Sequence, residues 1–192
     1  LEAHETYEKI EEAHQKHNKR AALLIIGLAA LLAIAEMAGK HAQTASIAYN
    51  IEANDLWSFY QAKTIRSTVL RTAIESTQLL PADASPEAAE ARKKQLADWR
   101  KTADRYESDS ASQEGRKELA ERAKATTELR DRKLTVYHEF EYSSAALQLA
   151  IVMASAAIIT ETVLLEIVSA GLGLVGLGLA LVGWLAPRLI EF

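Results

Sequence analysis

Apolar and polar positions are unevenly distributed along this chain. Residues 143–187 run for forty-five positions with two charges, Glu161 and Glu166, and residues 21–39 form a shorter apolar block interrupted only by Glu36. A bilayer core about 30 Å thick needs roughly 20 apolar residues of helix. Forty-five residues in one helix would reach about 67 Å, too far for a single pass. The long stretch therefore predicts two membrane-spanning helices, 143–161 and 163–187, with a tight turn at 161–166. The shorter block predicts another, at 21–39.

Between the spans the pattern turns polar but stays helical. Residues 40–80 hold good helix formers and no proline before Pro81. Ala62, Ile65, Val69 and Ala73 fall on one stripe, the expected packing face of a surface helix. The aromatic run Trp57, Phe59 and Tyr60 fits helix–helix packing better than a ligand platform. At 81–86 the chain breaks: Ser85 is an N-cap, Pro86 suits the first helical position, and Glu87 and Glu90 favour a helix start. Leu96, Trp99, Ala103 and Tyr106 then recur at steps of three, four and three, as in a helix laid along another. The polar, low-propensity stretch 108–115 takes up the surplus length of the returning arm, and 116–142 is helical again. The expected fold is an all-α membrane protein: a polar N-terminal helix or tail at 1–20, three transmembrane helices, and at 40–142 a long extramembrane antiparallel helical hairpin, coiled-coil-like.

Composition narrows the function classes. Net charge is −4, with Lys and Arg interleaved among Asp and Glu, so there is no basic stripe for nucleic acid. The chain has no cysteine, which excludes a disulfide framework and thiolate chemistry. Residues 1–20 are too acidic and too helical for the basic start of a signal peptide.

Candidate chemistry is sparse. Glu11, His14 and His17 share a helix face, and imidazole with carboxylate could hold a metal. Without a clear fourth ligand or second shell, exposed side chains on a solvated tail are the simpler reading, and no metal site is assigned. Glu36 lies on one face with Ala22, Ala29 and Ala33, which predicts that it points at a partner helix or cavity rather than lipid. In the second span Ala146, Ala150, Ala154 and Ala157 form one face, and Gln148 and Ser155 are its polar residues. Antiparallel packing would bring Gln148 level with Glu36, within hydrogen-bonding reach. Ser169, Gly173, Gly176, Ala180 and Gly183 make a small-residue seam in the third span, suited to close packing on another span or a neighbouring subunit. Residues 171–176 also spell G-x-G-x-x-G. Inside an apolar helix that motif has none of the strand–turn context of a dinucleotide site. No cofactor is expected.

Lys16, Lys19 and Arg20 would place the N-terminus in the cytoplasm. Lys40 and Arg188, against a turn without Lys or Arg, argue the opposite, so the sidedness of 40–142 stays undetermined. At 50–66, NIEANDLWSFYQAKTIR, the chain resembles a bacterial membrane-protein family, the domain of unknown function 4337. The likeness extends to 128–159, through Arg130-Asp131-Arg132, His138, Phe140-Glu141-Tyr142 and the alanine-rich second span. The resemblance implies a bacterial inner (cytoplasmic) membrane location and no chemistry. Without a nucleophile elbow, metal motif or phosphate loop, the expectation is a non-enzymatic structural or scaffolding protein in the lipid bilayer that self-assembles as a homo-oligomer. The alternatives are an oligomeric channel or transport-related protein using Glu36, Gln148 and Ser155, and an accessory subunit of a larger complex with an unidentified membrane-protein partner.

Overall fold

The computed structural model of the protein describes the backbone of residues 2–81 and 83–189 and the side chains of residues 19–81 and 83–185. Four helices follow one another: α1 Glu2–Gln78, α2 Pro86–Glu107, α3 Arg116–Thr160 and α4 Val163–Leu189. No strand occurs among the described residues. α1 runs unbroken through the expected polar tail, first span and outgoing arm, because nothing between them lacks an N–H or disfavours helix. Three helices (α1, α3 and α4) are long and apolar enough to cross a membrane.

The first two of the three interhelical breaks have clear local causes. Ser85 caps α2, its hydroxyl accepting from the Ala88 N–H at 3.2 Å, with Pro86 at the first helical position. Arg92 ties the preceding turn down, 2.7 Å from Asp83 and donating to the Pro81 carbonyl at 3.1 Å. Between α2 and α3, Glu118 reaches back from the first turn of α3. Its carboxylate accepts from the Ser108 hydroxyl and from the Asp109 N–H at 3.2 Å. The Asp109 carboxylate in turn accepts from the Ser112 N–H at 3.2 Å. Gly115 is obligatory here, since a Cβ would sit 2.6 Å from Ser108 Cα.

The chain folds into two compact units, Leu1–Ser46 with Asp131–Phe192, and Ile47–Arg130. In the first, α3 carries two packing faces. One holds Phe140, Leu147 and Ile151 in an apolar cluster with Leu28, Leu32 and Ala35 of α1. The other meets α4 through small residues. Gly176 faces Leu147, and a Cβ there would lie 2.7 Å from the Leu147 side chain and 3.2 Å from the Ser143 carbonyl. Gly173 gives the same room to Leu28, and Gly183 to Glu139 and Phe140. Two hydroxyls bridge the pair: Ser143 donates to the Gly176 carbonyl and Ser169 to the Ala150 carbonyl, each at 2.7 Å. The donors lie on opposite helices and the contacts run in opposite directions, which fixes an antiparallel register. Ala150, Ala154 and Ala157 are fully buried, as their shared face requires. The α4 seam is thus taken up inside the chain.

The α1 face differs from the expected one. Ala22, Ala29 and Ala33 are exposed, and the packed positions are Ala21, Leu28, Ala35, Gly39 and Ala42. Both stripes are rich in small residues, so size alone does not choose between them. What decides is that Leu28 fills the space over Gly173, while Gly39 makes room for Phe140.

In the second unit the buried stripe of α1 is Ala53, Leu56, Ser67 and Ile74, with Tyr60 and Leu70 partly covered. Ile65 and Val69, expected to be inward, are 65% and 62% exposed. The interior here is the aliphatic cluster of Leu56, Leu119 and Ala123 with Trp57 and Tyr60 packed against it, on a face of α1 turned away from Ile65 and Val69. α2 does present its expected stripe inward: Ala103 is buried, and Leu96, Trp99 and Tyr106 are half-buried.

Two outcomes are expected. Gly176→Ala should destabilise the first unit by roughly 1–3 kcal/mol through overpacking. Gly178→Ala, whose Cβ meets nothing within 4 Å, should stay within about 0.5 kcal/mol of the parent. Denaturant unfolding in detergent compares the two, and equal losses would remove the assignment of the seam. The second outcome concerns acid. The Ser108 hydroxyl holds Glu118 below its ordinary value, and the Ser112 backbone N–H does the same for Asp109. Both folded values are depressed, so their stabilisation is complete above the unfolded values near 4 and is lost as pH falls through the folded ones. Melting temperature should therefore drop below about pH 4, and Glu118→Gln should flatten that acid limb.

Candidate functional site

Glu36 on α1 and Gln148 on α3 come together in the first unit. Gln148 Nε2 donates to Glu36 Oε1 at 3.1 Å. The two helices can approach here because Gly39 and Ala35 leave room for Phe140, whose Cβ would be 3.1 Å from a Cβ on residue 39. Ser155, singled out with them from the sequence, does not join them. Its hydroxyl donates to the Ile151 carbonyl of its own helix at 2.8 Å. A bond within the helix satisfies the hydroxyl without any partner.

The Glu36–Gln148 pair borders an open cleft of about 360 Å³ between α1 and α3. Ala35, Gly39, Phe140 and Ala145 make its apolar floor. Lys40 and Gln43 continue the Glu36 face of α1, one and two turns on, and Tyr137 and Glu141 line the α3 side. Glu141 is held by two neighbours: the Tyr137 hydroxyl donates to it at 3.3 Å, and His138 Nδ1 lies 3.3 Å from its other oxygen. Lys40 makes no side-chain ion pair or hydrogen bond among the described residues. The cleft therefore presents two carboxylates, one ammonium and two amides above an apolar floor. Gln43 and Tyr137 were not singled out from sequence, and Lys40 and Glu141 were named there only as a flanking charge and within the family likeness. Their signal was the spacing 36, 40 and 43 on α1 and 137, 141 and 148 on α3, which puts each set on one helix face.

A second apolar pocket of about 310 Å³ lies between α1, α3 and α4, lined by Leu31, Met37, Leu147, Leu181 and Trp184. It holds no charged side chain.

In the second unit the aromatic segment takes part in packing with cations. Arg116 of α3 lies 2.9 Å from Glu107 of α2, donates to the Tyr60 hydroxyl of α1 at 3.3 Å, and stacks 5.3 Å from that ring. Hydrogen bonding to Tyr60, with the Glu107 charge, pushes its pKa further up. Lys63 sits between the Phe59 and Tyr106 rings at 5.1 and 5.2 Å, and 3.6 Å from Glu114. These cations are used as cross-braces between helices. Arg130 and Asn50 are joined at 3.3 Å near the ends of the unit.

Glu11, His14 and His17 lie outside the residues whose side chains the structure describes. Among the described residues no cluster of three or more metal-ligating side chains occurs. The α4 seam residues Ser169, Gly173, Gly176 and Gly183 are buried and Ala180 is half-buried, so they serve helix packing.

The sequence matches one family model, Domain of unknown function (DUF4337), over residues 17–186. No curated protein and no solved structure matches it.

The Glu36–Gln148 bond should appear as a modest coupling. A double-mutant cycle of Glu36→Ala and Gln148→Ala is expected to give about 0.6 kcal/mol, up to roughly 1.7 kcal/mol, from detergent unfolding. Strict additivity would show that the pair does not fix register.

Proposed function

The chain belongs to the DUF4337 family, and on that premise we propose a non-enzymatic, membrane-anchored scaffold. Three spans hold it in a bacterial inner membrane, and residues 40–142 form an extramembrane antiparallel helical hairpin with coiled-coil character. The observation that carries this reading is how the polar groups are used. Ser143, Ser169, Glu36 and Gln148 each make contacts between helices, and Arg116 and Lys63 brace helices in the second unit. Such groups fix register and rigidity. The outward side chains of the apolar segments support the anchor: Leu23, Ile26, Met37, Val152, Ile167 and Leu174 are exposed, a distribution suited to lipid and costly in water.

Self-assembly into a homo-oligomer is part of the proposal. Because α4's small-residue seam faces α1 and α3, assembly must use other outward faces of the spans or the hairpin. A second reading, an oligomeric channel, draws support from one feature: Glu36 and Gln148 remain exposed beside an open cleft. Their mutual hydrogen bond favours the scaffold.

The mass of the full chain extracted in mild detergent, by native mass spectrometry, tests this. A discrete homo-oligomer is the expected result, and proton or cation flux in reconstituted vesicles then separates scaffold from channel. A monomer would end the self-assembly proposal. A stoichiometric second polypeptide would instead identify an accessory subunit of a larger complex.

A further inference from the structure

The open cleft between α1 and α3 lies where both helices change from apolar to polar. On α1 the apolar block ends at Lys40, and on α3 it begins just after Glu141 and Tyr142. In a membrane-anchored chain, on which this inference rests, that places the cleft at the depth of lipid headgroups. We infer that it binds the headgroup of one phospholipid bearing a primary ammonium, of the phosphatidylethanolamine type.

Charge and donor chemistry select this occupant. Lys40 supplies a cation with no partner among the described residues, suited to a phosphate oxygen. Glu36 uses Oε1 for Gln148 and leaves Oε2 for a donor. Glu141 stands on the opposite wall. It is steadied by Tyr137 and His138, and a carboxylate retains further acceptor capacity beyond two such contacts. An ethanolamine headgroup carries three N–H donors next to its phosphate and matches all of these groups. Choline has no N–H to donate. An anionic headgroup such as phosphatidylglycerol would face two carboxylates against one ammonium. The floor of Ala35, Gly39, Phe140 and Ala145 gives the glycerol and first methylenes an apolar bed. Below it, the exposed Ala29 and Ala33 of α1 leave a shallow path for an acyl chain.

The test uses the full chain in mild detergent, freed of native lipid and titrated separately with phosphatidylethanolamine, phosphatidylcholine and phosphatidylglycerol. Bound lipid is counted by native mass spectrometry. Phosphatidylethanolamine should bind roughly tenfold more tightly than the other two, the scale of a charge-assisted hydrogen bond. Glu36→Gln combined with Glu141→Gln should abolish that preference. The substitutions keep the hydrogen-bonding shape, and an unchanged melting temperature confirms that the variant is folded. Lys40→Gln should weaken phosphatidylethanolamine binding as well. Equal binding of the three lipids, or a preference that survives the double variant, overturns the inference. So does complete displacement by soluble phosphoethanolamine at equal concentration, which would make the ligand a free metabolite rather than a lipid, and so does a dimer whose formation excludes lipid. A chain that stays monodisperse in buffer without detergent would overturn the membrane-anchored reading itself, before any lipid is added.

Discussion

Close approach of helix backbones is the constraint on which the first unit depends. A helix surface without bulk at chosen positions lets a neighbour come near enough for its large side chains to fill the gap. Gly173 receives Leu28, Gly176 receives Leu147, and Gly39 receives Phe140. The serines follow from the same closeness, because a hydroxyl on one helix reaches a carbonyl on the next only when the backbones nearly touch. Ser143 and Ser169 do so in opposite senses, so sliding by one turn would break both at once. Packing and hydrogen bonding thus specify one register.

The second unit solves the same problem with different chemistry. Its apolar cluster is small, centred on Leu56, Leu119 and Ala123. Cations placed against rings and carboxylates add cross-links between the helices, with Arg116 and Lys63 each touching residues of other helices. An exposed ion pair is worth little, whereas a guanidinium stacked on a ring and fixed to a carboxylate loses less freedom in forming its contacts. The Glu118 and Gly115 arrangement at the start of α3 holds the irregular segment between α2 and α3 compact.

Much of the helical plan was legible in the sequence because it rests on long-range contrasts. Runs without charge marked the apolar segments. Ser85-Pro86 marked a helix start, and the low-propensity stretch before Gly115 marked a break. The faces of α1 were harder to find. Ala22 and Ala21, or Ala29 and Leu28, differ by a rotation of one residue, and what chooses between them is the shape of α3 and α4, separated from α1 by most of the chain. Ile65 and Val69 misled because branched apolar residues usually mark a core, while here Tyr60 and Ser67 face inward. The Glu36–Gln148 contact followed from antiparallel levels alone. The remainder of the cleft needed the pairing of two helix faces, information that neither segment holds by itself.

The Asn50–Arg130 hydrogen bond bears on how the chain assembles. Glu36 and Gln148 are 112 residues apart in sequence, whereas Ser169 and Ala150 are only 19 apart. Joining α1 to α3 directly would close a very long loop, while α3 and α4 close a short one. The unit between Ile47 and Arg130 removes most of that difference, since its own folding brings residues 50 and 130 to within a hydrogen bond of each other. Once it has formed, the residues still free between Glu36 and Gln148 are only the short flanks on either side. With residues 50 and 130 joined, the loop closed by the Glu36–Gln148 contact shortens to the segments 37–49 and 131–147, so its entropic cost approaches that of the short α3–α4 loop.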